Sequence, residues 1–105
     1  MLTLSEVEQI IQSNDAVMLY FSGANCGVCK VLHPKIEKAF SQYYPLIKQI
    51  KIDVEQYPQI AGQFGVFALP TIVIYFDGKE FNRKSRNISV DGLLSEIKRP
   101  YELFF

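Results

Sequence analysis

The sequence has 105 residues, 49% of them hydrophobic, so it is long enough for one domain with a hydrophobic core and too short for two. Lysine plus arginine and aspartate plus glutamate number 11 each, so no net charge attracts nucleic acid or an anionic membrane surface. The longest apolar run, residues 16–21, is far shorter than the roughly 20 residues that span a bilayer. The N-terminus carries Glu6 and Glu8, unlike a secretory signal. We therefore expect a single cytoplasmic domain, residues 1–105.

The first elements are a short helix and a buried strand. Apolar periodicity predicts a helix over residues 5–13, where Ser5 and Glu8 have the spacing of a capping box. Residues 16–22 then form an apolar run without polar alternation. Such a run is typical of a strand that is covered on both faces, so we expect it near the centre of its sheet.

A strand–helix–strand unit follows from the next stretch of sequence. A helical period runs from Gly27 to about Tyr43 with Pro34 inside it, where we expect a kink because proline lacks a backbone donor. Residues 46–54 alternate as a second strand. This order predicts a right-handed crossover between two parallel strands.

The second half of the chain predicts a short helix, a hairpin and a final helix. The helix lies within residues 57–66, and the hairpin joins residues 71–76 to 79–86 through a tight Asp77-Gly78 turn. Ser89 is expected to cap the last helix, and Pro100 to stop it. Residues 101–105, four of which are apolar, then form a tail that folds back onto the domain or, as the alternative, forms a weak dimer.

The only two cysteines, Cys26 and Cys29, lie between the first strand and the crossover helix, where open sheets place their chemistry. Residues three apart on a helix share one face, so the two sulfurs can meet. The amide donors and partial positive charge of the helix N-terminus favour a thiolate at Cys26. We expect Cys26 to be an exposed nucleophile, Cys29 the resolving partner, and Gly27 to let the chain turn without covering the sulfur.

These cysteines belong to an ordered set of motifs. The set consists of Phe21, Cys26-Gly27-Val28-Cys29-Lys30, Pro34, residues 51–66, Leu69-Pro70-Thr71 and residues 77–80. In this order the motifs resemble thioredoxin over nearly the whole chain. The resemblance implies an α/β thioredoxin fold, with four helices flanking a mixed sheet of four or five strands. It also implies a cis Leu69-Pro70 bond beside the cysteines, where substrate docks against Leu69, Pro70 and Thr71.

The activity that the resemblance implies is thiol–disulfide exchange. We expect the protein to act as a reductase, with oxidation as the alternative direction. The substrates would be protein disulfides, and an upstream dithiol reductase would supply electrons. The implied redox group is the Cys26–Cys29 disulfide itself, with no other cofactor. We expect a monomer without nucleic-acid or membrane partners.

Several positions depart from the thioredoxin pattern. Ser22 and Asn25 replace two tryptophans, and Val28 replaces the usual proline between the cysteines. The family's buried acid falls on Tyr20, while the lysine that accompanies this acid is matched by Lys51. A tyrosine titrates near 10 and is a poor base at neutral pH. We therefore expect the step that releases the mixed disulfide to be slow.

Three alternatives remain open at this point. The pair could be two buried, inert thiols, or the cleft could serve a redox-silent peptide-binding module or adaptor. Cys26, Cys29 and His33 share a helical face and could bind zinc, although the chain offers no further cysteine or histidine as a fourth ligand. Otherwise His33 is expected to be a partly exposed helix residue.

Overall fold

The computed structural model describes all residues, Met1–Phe105, as four helices and four strands. In chain order these are α1 (Leu4–Ser13), β1 (Ala16–Ser22), α2 (Gly27–Tyr43), β2 (Lys48–Asp53), α3 (Pro58–Gln63), β3 (Thr71–Phe76), β4 (Lys79–Ser85) and α4 (Val90–Phe104). The sheet order is β2-β1-β3-β4. Strand β1 is parallel to β2 and antiparallel to β3, which pairs antiparallel with β4. The predicted mixed sheet with four helices is confirmed, with four strands.

Strand β1 is an inner strand, and all seven of its residues are buried. Its side chains alternate between two hydrophobic clusters. Ala16, Met18 and Tyr20 pack with residues of α2 and α4, whereas those between them pack with α1 and α3. The uninterrupted apolar run follows from this position, because each face of the strand lies under helices.

Helix α1 begins one residue earlier than the sequence predicts, and its cap is Thr3 rather than Ser5. The Thr3 hydroxyl accepts the Glu6 amide at 3.1 Å, and the Glu6 carboxylate accepts the Thr3 amide at 3.1 Å. Both candidates have the same spacing to a glutamate, so local sequence does not separate them. The earlier start brings Leu4 into the helix, where it packs against the cluster beneath α1.

The predicted hairpin is confirmed. Asp77 and Gly78 both have positive φ angles, 54° and 74°, as a two-residue turn between twisted strands requires. Glycine meets this requirement without a steric penalty.

The prediction that Pro100 ends the last helix is wrong, because α4 continues through it to Phe104. Proline removes one helical hydrogen bond, but the following turn has contacts elsewhere. The Tyr101 ring lies 4.7 Å from that of Tyr44, and Phe104 stacks on Phe76 at 5.4 Å. The segment 101–105 thus packs on its own chain, as expected for a tail that folds back onto the domain.

No helix of the protein is both long and apolar enough to cross a membrane.

Candidate active site

The two cysteines lie where the loop after β1 enters α2. Cys26 is the N-cap of α2, and it forms a disulfide with Cys29 across a Cα–Cα distance of 5.3 Å. The Cys29 amide donates to Cys26 Sγ at 3.2 Å. Cys29 is only 2% exposed, whereas Cys26 is half-buried. The first sulfur therefore lies among the free amides of a helix N-terminus, and the second lies in the core.

The two residues between the cysteines form open surface. Gly27 has no positive φ, and a Cβ added there would meet nothing within 4 Å. The backbone at this position does not require glycine, because a residue with a Cβ would fit there as well. Val28 is 61% exposed. Gly27 has no side chain and Val28 is largely exposed, so neither residue blocks access to Cys26.

The Leu69-Pro70 bond is cis, as the resemblance implied. Thr71 opens β3 opposite Phe21 of β1, so Pro70 lies at the end of the sheet where β1 leads to the cysteines. The Thr71 hydroxyl donates to the Ala68 carbonyl at 2.6 Å, a hydrogen bond that closes the turn containing Leu69 and Pro70. A Cβ added to Gly23 would lie 3.0 Å from the Leu69 side chain, so the two loops are in close contact.

Tyr20, at the position of the family's acid, is hydrogen-bonded directly to Cys29. Its side chain is buried, and its hydroxyl donates to the Cys29 carbonyl at 2.9 Å. Burial raises the pKa of Tyr20 to about 12. Lys51 pairs with Tyr20 in the register of β1 and β2, but it is exposed. The structure thus brings Tyr20 to Cys29 and leaves Lys51 in solvent beside them.

His33 is a partly exposed residue of α2, as expected, and it contacts Tyr20. Its ring lies 4.9 Å from that of Tyr20, edge to face. Burial, then the positive charge of Lys51, lowers the pKa of His33 below 6.5, against an opposing effect of Glu37. Its spacing of four residues from Cys29 puts the two residues on one helical face, as the sequence predicts.

An open groove of about 550 Å³ runs beside the second cysteine. Cys29, Lys51 and Asp53 contribute to its lining, and so does Ser22, which replaces a family tryptophan. Asn25, at the other tryptophan position, is exposed. The groove lets solvent approach the buried cysteine from the β2 side.

The alternative metal site would use Cys26, Cys29 and His33. No three histidine, cysteine, aspartate or glutamate side chains lie close enough together to share a metal ion. Both sulfurs are instead joined to each other.

Comparisons with known proteins agree with this geometry. The family model described as Thioredoxin matches residues 1–99. Thioredoxin-like protein YdfQ of Bacillus subtilis is 30% identical over 102 residues, covering 97% of this chain and 90% of that protein. Thioredoxin-1 of Saccharomyces cerevisiae is 37% identical over 78 residues, covering 74% and 75%.

A solved structure extends the likeness to three dimensions. Oxidised mitochondrial thioredoxin 3 of Saccharomyces cerevisiae matches with a TM-score of 0.81 at 33% identity, covering 90% of this chain and 88% of that one. The cysteine pair of this chain lies at the start of α2 and forms a disulfide. Since the family model also spans nearly all of the sequence, the chain belongs to the thioredoxin family of thiol–disulfide oxidoreductases.

Proposed function

We propose that this protein reduces protein disulfides, with Cys26 as the nucleophile and Cys29 as the resolving thiol. The observation that supports this assignment is the position of Cys26 as N-cap of a 17-residue helix, where its sulfur accepts a backbone amide. Amide donors and the helix dipole stabilise a thiolate and lower the pKa of the thiol that carries it. Cys29 is buried, so the disulfide sulfur that it can attack is Cys26 Sγ, once Cys26 has bound the substrate.

The reaction passes two electrons from the cysteine pair to the substrate. The Cys26 thiolate attacks one sulfur of the substrate disulfide, and the other substrate sulfur leaves as a thiolate. Cys29 then loses its proton and attacks Cys26 Sγ, which releases the second substrate sulfur and forms the Cys26–Cys29 disulfide. An upstream dithiol reductase restores both thiols by the same exchange, so the proposal requires no other cofactor.

The substrate surface that we propose combines the cis-proline segment with the exposed start of α2. Leu69, Pro70 and Thr71 lie at the same end of the sheet as the cysteines. Val28 and Val31 are 61% and 63% exposed on α2. An extended, partly apolar peptide that carries a disulfide suits this surface, because Cys26 lies at the helix end between the two parts.

The direction of exchange and the compartment belong to the same proposal. A reductase needs a supply of dithiols, so we place the protein in a reducing compartment, the cytoplasm. Reduction predicts a Cys26–Cys29 potential near the roughly −270 mV of thioredoxin, whereas an oxidant would have one near −120 mV. Equilibration with glutathione buffers of known ratio measures this potential.

Insulin reduction tests the activity and the two cysteine roles. With a dithiol donor, the parent protein should reduce insulin, and Cys26→Ser should abolish this activity. Cys29→Ser should accumulate a mixed disulfide through Cys26, whereas Cys26→Ser should not. Limiting iodoacetamide at neutral pH should also label Cys26 of the reduced parent before Cys29. A parent that binds insulin peptides without reducing them would instead support the redox-silent module.

A further inference from the structure

Resolution of the mixed disulfide requires Cys29, a buried thiol, to lose a proton. Burial disfavours the thiolate, so the step needs a proton acceptor close to the sulfur. The family's carboxylic acid is replaced by Tyr20. Six titratable side chains line the groove beside Cys29 or lie next to its immediate neighbours: Tyr20, Lys30, His33, Lys51, Asp53 and Tyr57.

Five of these side chains are poor acceptors. Lys30 is an ammonium group with donors and no lone pair, and the Tyr57 hydroxyl already accepts the Leu2 amide at 3.2 Å. Tyr20 keeps its proton, because burial raises its pKa to about 12, and its hydroxyl already donates to the Cys29 carbonyl. Lys51 is an ammonium group, which has donors and no lone pair. The Asp53 Oδ1 accepts the amides of Glu55 and Gln56 at 2.8 and 3.3 Å and so holds the loop after β2.

His33 has the position and the lone pair that the step needs. It follows Cys29 by four residues on α2, a spacing that brings Cβ atoms within roughly 5–6 Å on one helical face. Its ring packs on Tyr20, whose hydroxyl contacts the Cys29 backbone. Burial and Lys51 lower the pKa of His33 below 6.5, which keeps the imidazole neutral at neutral pH.

We propose that His33 accepts the proton of Cys29 in the resolving step, in place of the acid that the family carries at the Tyr20 position. The inference rests on the proposed function. The proton passes from Cys29 Sγ to the neutral imidazole, directly or through one water in the adjoining groove. The Cys29 thiolate then attacks Cys26 Sγ, and the bond from Cys26 to the substrate breaks. The imidazolium returns its proton to solvent.

Single-turnover kinetics with a labelled disulfide peptide separates the two steps. In His33→Gln, formation of the mixed disulfide should keep its parental rate, whereas resolution should slow by about tenfold or more at neutral pH. Lys38→Gln, an exposed change on the same helix, should leave both rates unchanged. Free imidazole should partly restore resolution in His33→Ala, because it can enter the space left by the ring.

The pH dependence distinguishes a proton acceptor from a residue that only supports the fold. The charged and titratable groups facing His33 are Lys51 on β2, Glu37 on α2 and Tyr20 on β1. The parental resolution rate should fall as pH drops through the lowered pKa of His33, and this limb should be absent in His33→Gln. Removing the nearby positive charge in Lys51→Gln should raise that pKa and move the limb to higher pH.

The outcomes separate this inference from the function on which it rests. If the parent forms no mixed disulfide, the proposed function fails. If His33→Gln resolves the mixed disulfide at the parental rate, His33 is not the acceptor, although the function stands. Slower resolution without the change in pH profile and without imidazole rescue would also overturn the inference, because it would show a structural role.

Discussion

At the scale of single residues, Tyr20 replaces a buried charge with a neutral hydrogen bond. A buried carboxylate needs compensating partners, whereas a phenol needs only one acceptor for its proton. Tyr20 finds this acceptor in the Cys29 carbonyl at 2.9 Å. Tyr20 thereby joins the central strand to Cys29 by a hydrogen bond, and it adds no group that titrates at neutral pH.

Removing the Tyr20 hydroxyl should therefore destabilise the fold. Tyr20→Phe keeps the ring in the core but leaves the Cys29 carbonyl without this donor, which should cost about 1–2 kcal/mol of unfolding free energy. Urea denaturation of the oxidised protein measures the difference. Tyr43→Phe is the matched control, since Tyr43 is exposed. Equal stability of Tyr20→Phe and the parent would show that the hydrogen bond contributes nothing net.

The lowered pKa of His33 also predicts how stability responds to acid. Its pKa is below 6.5 in the folded chain, mainly through burial, so the unfolded chain takes up a proton first as pH falls. This contribution is present above 6.5 and is lost as pH drops from there through the folded pKa. Thermal melts of parent and His33→Gln should therefore converge or cross in this window. Parallel melting curves at all pH values would contradict the assignment.

At the scale of elements, the last turn of α4 shows how packing sustains a helix through a proline. Tyr101 contacts Tyr44 by its ring, and its hydroxyl accepts the Leu46 amide at 3.2 Å. Phe104 adds a stacked contact with Phe76. These contacts join α4 to the end of α2 and to β3. They offset the loss of the backbone hydrogen bond that Pro100 cannot donate.

Deleting residues 101–105 should lower thermal stability, whereas the protein should remain a monomer in solution. The deletion exposes the faces of Tyr44 and Phe76 that the last turn covers, and it should cost about 2 kcal/mol or more. Calorimetry and light scattering measure the two properties. Leu103→Ser is the control, because Leu103 is 75% exposed. A fall in mass on deletion would favour the dimer instead.

At the scale of the whole molecule, the sheet has a rigid centre and two edges. β1 and β3 are the inner strands, and every residue in both is buried. β4 at one edge is largely exposed, and β2 at the other is only partly covered. The loop that leads to Cys26 therefore extends from a fully buried strand, at the same end of the sheet as the cis Leu69-Pro70 bond.

Native-state hydrogen exchange should reproduce this order. Amides of β1 and β3 should exchange only through global unfolding, whereas those of β4 and the last turn of α4 should exchange through local opening. Mass spectrometry of peptic fragments resolves these segments. Faster exchange in β1 than in β4 would contradict the proposed rigidity of the strand before the cysteines.

The sequence by itself determined the features that depend on local patterns. The apolar run of β1 predicted a doubly covered strand, the Asp77-Gly78 pair predicted the turn, and the order of motifs predicted the fold. The position of Cys26 at a helix start also followed from local sequence. The strand, the turn and the helix start depend on periodicity or on the backbone preferences of a few adjacent residues, whereas the fold was predicted from the resemblance of the ordered motifs to thioredoxin.

Only the tertiary structure decided the features in which distant residues compete or meet. Thr3 rather than Ser5 caps α1. Helix α4 continues through Pro100 because its last turn contacts residues far away in the sequence, such as Tyr44. The approach of His33 to Tyr20 and of Tyr20 to Cys29 joins a helix to a strand. Spacing along one segment cannot report such contacts, since burial and a shifted pKa arise from the neighbours that folding supplies.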